Sequence, residues 1–180
     1  MRQAVLAMTG ACAGLSVRFL MPAGGKTGIE ETTAMTDHKG GCHCGNISVT
    51  FTTDKDPAEI VPRACQCSFC RKHATRALSD NAGHIHLQVK DSSLLGRYRF
   101  GLKVGDYVFC KSCGVYVSAY MEDGAPGKEG RAWANVMANA MDDREAWAPA
   151  EPIEYGVETE DGKRERRRHK WTPASMTVEN

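Results

Sequence analysis

The chain lacks any run of about eighteen apolar residues, which excludes a convincing membrane-spanning helix. It also lacks an excess of charge of either sign: 23 Lys and Arg stand against 22 Asp and Glu, for a formal net charge of +1. So even a balance offers no broad electrostatic field to nucleic acid or an anionic membrane, and any such partner would need a local patch. No internal repeat occurs apart from recurring cysteine pairs, and no cysteine follows Cys113.

What the chain does have is cysteine in a pattern. Seven of its eight cysteines fall in three short clusters: Cys42 and Cys44, then Cys65, Cys67 and Cys70, then Cys110 and Cys113. In Cys42-His43-Cys44 and Cys65-Gln66-Cys67 a single residue separates two thiols, a spacing that strains an intrapair disulfide. Each thiol can still bridge elsewhere, but these spacings favour metal binding over a secreted disulfide scaffold. A reducing compartment follows, and the cytoplasm is the expected location. Four plus three is the arithmetic of one closed and one open zinc site, because structural zinc takes four protein ligands and catalytic zinc keeps a position free.

A length of 180 residues with 42% hydrophobic residues fits one domain with a sizeable core plus some tail. Residues 1–34 are set apart. They carry Arg2, Arg18 and Lys26 with no acid before Glu30, and an apolar stretch runs from Ala4 to Val17. A short signal peptide reads this way, with Cys12 as a lipid-attachment site, although Thr9 stands where a large aliphatic residue belongs. The expectation is a disordered or artefactual extension, with Met35 as the natural start. At the other end proline and charge dominate from Ala148, and Lys163 to Lys170 is a basic run broken by Glu165 and His169. Nearby acids make residues 148–180 a polar, basic tail or terminal strand rather than a nucleic-acid patch.

Between these ends the pattern is that of short strands. Ile47, Val49 and Phe51 alternate with polar residues, as do the residues from His84 to Val89. Further strands are expected over Glu59 to Ala64, Leu94 to Phe100, Tyr107 to Cys110, Val115 to Met121 and Ala132 to Met141. Pro62 puts the Glu59 to Ala64 strand at an edge or bulge. One or two helical turns are expected between Ser68 and Arg76. Glycines punctuate the segments, so a mainly β, sheet-on-sheet domain is predicted.

Joining Cys42 and Cys44 to Cys110 and Cys113 clips the ends of the sheet system together, and a cross-link over so long a loop opposes much chain entropy. That is a structural zinc. The middle cluster offers three thiolates, and no fourth cysteine remains except Cys12. A zinc on Cys65, Cys67 and Cys70 completes its tetrahedron with water, an incoming thiol, or one of His43, His73, His84 and His86, the last choice giving a closed site. An iron-sulfur centre or a redox role for low-pKa thiols beside Arg71 and Lys72 are the further alternatives.

The motifs Gly-Gly-Cys42-His43-Cys44-Gly45, Cys65-Gln66-Cys67-Ser68-Phe69-Cys70-Arg71-Lys72 and Phe109-Cys110-Lys111-Ser112-Cys113-Gly114 resemble the glutathione-dependent formaldehyde-activating enzyme (GFA) family in order and spacing. The resemblance covers about residues 38–142 and places the GFA-type zinc β domain at 35–147. It implies a β-tent of packed antiparallel sheets stapled by zinc, with two zincs per chain. Cys42, Cys44, Cys110 and Cys113 match the structural ligands, and Cys65, Cys67 and Cys70 the catalytic ones. It also implies a carbon-sulfur lyase acting on thiol–aldehyde adducts of the S-(hydroxymethyl)glutathione type, with glutathione and a small aldehyde as partners. Arg71, Lys72 and Arg76 become candidates to steer the carboxylates of glutathione. Related domains occur in centromere protein V, so a zinc-stapled binding module with both sites structural is the alternative. Methionine sulfoxide reductases share related zinc β folds, but need a reducing cysteine beyond the knuckles.

Overall fold

The computed structural model of the chain describes residues 34–124 and 130–179. The expected N-terminal extension, and with it Cys12, falls outside the described residues apart from Ala34. Along the chain lie β1 (Thr36–Gly41), β2 (Ile47–Thr53), β3 (Arg63–Cys65), α1 (Ser68–Lys72), β4 (Ala77–Leu78), β5 (His84–Val89) and β6 (Leu95–Tyr98). They are followed by β7 (Asp106–Cys110), β8 (Tyr116–Glu122), β9 (Ala132–Met137), β10 (Glu151–Ile153), α2 (Glu160–Lys170) and β11 (Thr172–Val178). The fold is mainly β, with two α-helices among the described residues.

Alternation builds the strands as the sequence predicts. In β2, Ile47, Val49, Phe51 and Thr53 are buried while the residues between them are half-buried. The strand expected over Glu59 to Ala64 shrinks to β3, because Asp56 caps a 3-10 turn at Pro57–Glu59 and Pro62 has no amide to give a ladder. β9 likewise stops at Met137, where a 3-10 turn over Ala138–Ala140 takes over.

Hydrogen bonding connects the eleven strands among the described residues into one branched sheet. One arm runs β1-β2-β5, the other β6-β7-β8-β9, and β11 lies between them, parallel to β5 and antiparallel to β9. The C-terminal half of β9 carries a short branch, β4-β3-β10, in which β10 runs parallel to β3. Most pairs are antiparallel as expected, but the sheet is mixed, since β10 and β11 arrive after long excursions that let them run beside distant strands in the same direction.

Residues 148–180 therefore do not hang free as a polar tail: β10, α2 and β11 come from this stretch and are built into the sheet. The physical reason shows in β8, which is buried at every position from Tyr116 to Met121. One face meets the main core of Ile47, Phe51, Leu78, Leu87 and Val117, while Ala119 and Met121 on the other face pack on Trp171 at the end of α2. A strand with both faces apolar needs a cover on both, and α2 with Trp171 supplies the second. No helix among the described residues is long and apolar enough to cross a membrane.

Candidate metal centres

Two of the three cysteine clusters merge, as the spacing predicts. Cys42 follows β1 and Cys44 lies in the turn to β2; Cys110 ends β7 and Cys113 lies in the turn to β8. The four sulfurs all lie within 4.8 Å of one another. Cys42 Sγ is 3.7 Å from Cys44 Sγ, which is 3.4 Å from Cys110 Sγ. A tetrahedron with metal–sulfur bonds of about 2.3 Å separates its sulfurs by about 3.8 Å, so the donor set fits zinc closely. The seven cysteines among the described residues are free thiols.

The two turns are built alike. Gly45 and Gly114 each follow a knuckle with φ near 76°, a left-handed conformation that a side chain would strain. Each glycine amide donates back to the carbonyl of the first cysteine of its knuckle, Gly45 to Cys42 at 3.0 Å and Gly114 to Cys110 at 2.8 Å. The Ile47 amide donates to Cys42 Sγ at 3.2 Å. Burial opposes ionisation of Cys113, but hydrogen bonds from the Val115 and Cys44 amides and the Cys110 and Cys44 thiols together bring it down to about 6. Fully buried Cys110 is pushed up to about 11. Bound metal, with amides turned toward sulfur, would take all four as thiolates.

The remaining cluster is local. Cys65 ends β3, Cys67 caps α1 with its sulfur 3.5 Å from the Cys70 amide, and Cys70 is buried on α1. Their sulfurs also lie within 4.8 Å of one another. The Cys70 thiol donates to Cys65, which brings Cys65 down to about 5 and drives Cys70 up. Three sulfurs so placed can hold one metal and leave a coordination position to another donor. β10 fixes the loop from outside, since the Gln66 amide donates to the Ile153 carbonyl at 3.0 Å.

None of the four candidate histidines joins this group. His73 packs its ring on Phe69 and Tyr116, while His84 and His86 both meet the Ser175 hydroxyl. His43 is exposed in the first knuckle. Among the described residues, no fourth His, Cys, Asp or Glu completes the three-sulfur set.

The three sulfurs instead face a cavity of about 340 Å³, to which the four-sulfur group contributes nothing. Tyr107, Tyr116 and Phe100 form an aromatic wall. Burial pushes the Tyr107 phenol up to about 12 and the Tyr116 phenol well up, so both stay protonated at neutral pH. Arg71 and Lys72, the cations singled out by their closeness to the cysteines in sequence, are exposed on α1 and do not line the cavity. Cations that do are Arg63 from β3 and Lys163, Arg166 and Arg167 from α2. Sequence reading missed the last three by setting their segment apart as a tail; the signal was the helix pattern of Thr159 as cap, Glu160 and Asp161 in the first turn and basic residues in the last.

A crystal structure of a Rhodobacter sphaeroides protein is similar to this chain at 23% identity, over 63% of this chain and 99% of that one, with a TM-score of 0.41. The sequence model described as "Glutathione-dependent formaldehyde-activating enzyme" matches residues 37–155, well over half of the chain, and includes all seven clustered cysteines. The chain therefore belongs to the glutathione-dependent formaldehyde-activating enzyme family.

Proposed function

We propose that the protein is a zinc-dependent carbon-sulfur lyase of the glutathione-dependent formaldehyde-activating type, with structural zinc on Cys42, Cys44, Cys110 and Cys113 and catalytic zinc on Cys65, Cys67 and Cys70. The observation that carries this reading is the contrast in surroundings: four sulfurs fill their own coordination shell, whereas three sulfurs form the floor of a cavity. Zinc bound to the three would supply Lewis acidity and ionise a coordinated thiol at neutral pH.

The chain's own residues do the rest. Phe100, Tyr107 and Tyr116 exclude water and hold a small aldehyde against the sulfur floor. Addition forms a carbon–sulfur bond and sends the thiol's proton to the carbonyl oxygen; the lyase direction reverses both. A protonated Tyr107 hydroxyl lining the cavity is placed to donate a hydrogen bond to that oxygen as charge develops. Glutathione and formaldehyde are the thiol and aldehyde that the family description names. In Cys67→Ser the thiol-dependent loss of aldehyde should fall by at least about a hundredfold, a scale typical of removing one catalytic contact. Turnover at the wild-type rate in a folded Cys67→Ser protein would sink the reading.

A further inference from the structure

One charge in the cavity lacks a direct ion-pair partner. Arg167 is 3% exposed, its Nε and Nη1 have no hydrogen-bond partner, and no carboxylate among the described residues pairs with it. Its neighbours on α2 are neutralised: Arg164 by Glu160, Arg166 by Glu158, and Arg168 by Asp123 and Glu165. Yet the site is shaped to hold this guanidinium. The Trp171 ring lies 4.2 Å from it, the Tyr107 hydroxyl stands beside it, and a Cβ on Gly105 would come within 2.6 Å of Nη1. A buried, unpaired cation is costly to keep, and it persists where a ligand brings the missing anion.

Other features of the cavity fit. Lys163 stands one helical turn before Arg167, on the same face of α2, and is half-buried. The buried Thr75 hydroxyl also lines the cavity and stands beside the Cys70 thiol. Of the two acids lining the cavity, Glu158 is ion-paired with Arg166 and acts on Lys163 and Arg167 only through its field, and Glu154 is exposed. Lys163 and Arg167 lie beyond residues 37–155, outside the matched family domain.

We propose that Arg167, supported by Lys163, is an anion subsite that selects carboxylate-bearing thiols for the three-cysteine centre. One guanidinium and one ammonium above a floor of sulfur suit a singly charged carboxylate better than a phosphate dianion. The thiol half of this statement rests on the proposed function; the anion half does not.

The test is calorimetric titration of the zinc-loaded full chain with 3-mercaptopropionate and with its near-isosteric amide, 3-mercaptopropionamide. The acid should bind at least about tenfold more tightly than the amide, the scale of one charge-assisted hydrogen bond. In Arg167→Met that ratio should fall to about one while the affinity for the amide is unchanged. Because this variant removes an unpaired buried charge, it should melt no lower than the wild type. If it does not fold, Lys163→Met carries the test, with a smaller fall in the ratio. Equal binding of acid and amide to the wild type, or an unchanged ratio in the folded variants, overturns the proposal. Propionate separates the two readings, since it has no thiol: propionate binding that depends on Arg167, with amide binding indifferent to Cys67→Ser, would keep the subsite and reject the thiol centre.

Discussion

The two cysteine centres use the same side chain to opposite ends. The four-sulfur group brings together Cys44 and Cys110, 66 positions apart along the chain, from turns on the two different arms of the sheet. The three-sulfur group is gathered within the six residues from Cys65 to Cys70. A metal on the first ties distant segments and removes chain entropy from the unfolded state; a metal on the second closes almost no loop. Under the proposed function, sequence separation is what distinguishes the fold-forming site from the chemical one, since the ligands are identical.

That contrast can be broken in order of effect. Cys110→Ser removes a fully buried ligand of the long-range group, and binding energies of structural zinc of about 10–16 kcal/mol exceed the stability of an ordinary domain. The variant should show no cooperative thermal transition by circular dichroism; a wild-type melt would mean that the group is not a staple. Chelator titration should come next. One equivalent of zinc should leave with the fold intact and thiol binding lost, the second only as the protein unfolds, with release followed colorimetrically beside circular dichroism. Simultaneous release would erase the distinction. Gly114→Ala should cost about 1–2 kcal/mol, or roughly 3–6 °C in Tm, because the new methyl meets nothing within 4 Å and only the left-handed backbone at φ 76° resists it. The smallest effect is reserved for the local group: Cys67→Ser should shift Tm by no more than about 3 °C, equivalent to about 1 kcal/mol. A collapse there would make both centres structural.

Much of this arrangement was legible in the residues. The grouping of the cysteines followed from spacing and ligand count, and β2, β5, β7 and β8 followed from alternation or apolar runs. Others were hidden for identifiable reasons. β1 reads Thr-Asp-His-Lys-Gly-Gly, with His38 its one buried residue, held by Asp143 at 2.6 Å and packed edge-on against Trp147. Such a strand is made by long-range contacts that no local pattern announces. α2 was hidden differently. Its charges spell a solvated segment, yet Arg164, Arg166, Arg168 and His169 find acids and Arg167 is swallowed by the cavity. Closeness in sequence drew attention to Arg71 and Lys72, while closeness in space belongs to residues about a hundred positions later.

β11 carries a last consequence, for the order of events during synthesis. Until residues 172–178 leave the ribosome, β5 and the N-terminal half of β9 present bare edges, with amides and carbonyls open to any passing strand. The nascent chain must therefore hold two unfinished sheet arms apart from other chains while the closing strand is made. Metal capture by the four cysteines, all of them translated well before β11, can bring the arms together during that interval. If zinc fills that site, as proposed, its supply during translation would govern how much of the chain escapes aggregation, and starvation for the metal should appear first as lost soluble yield.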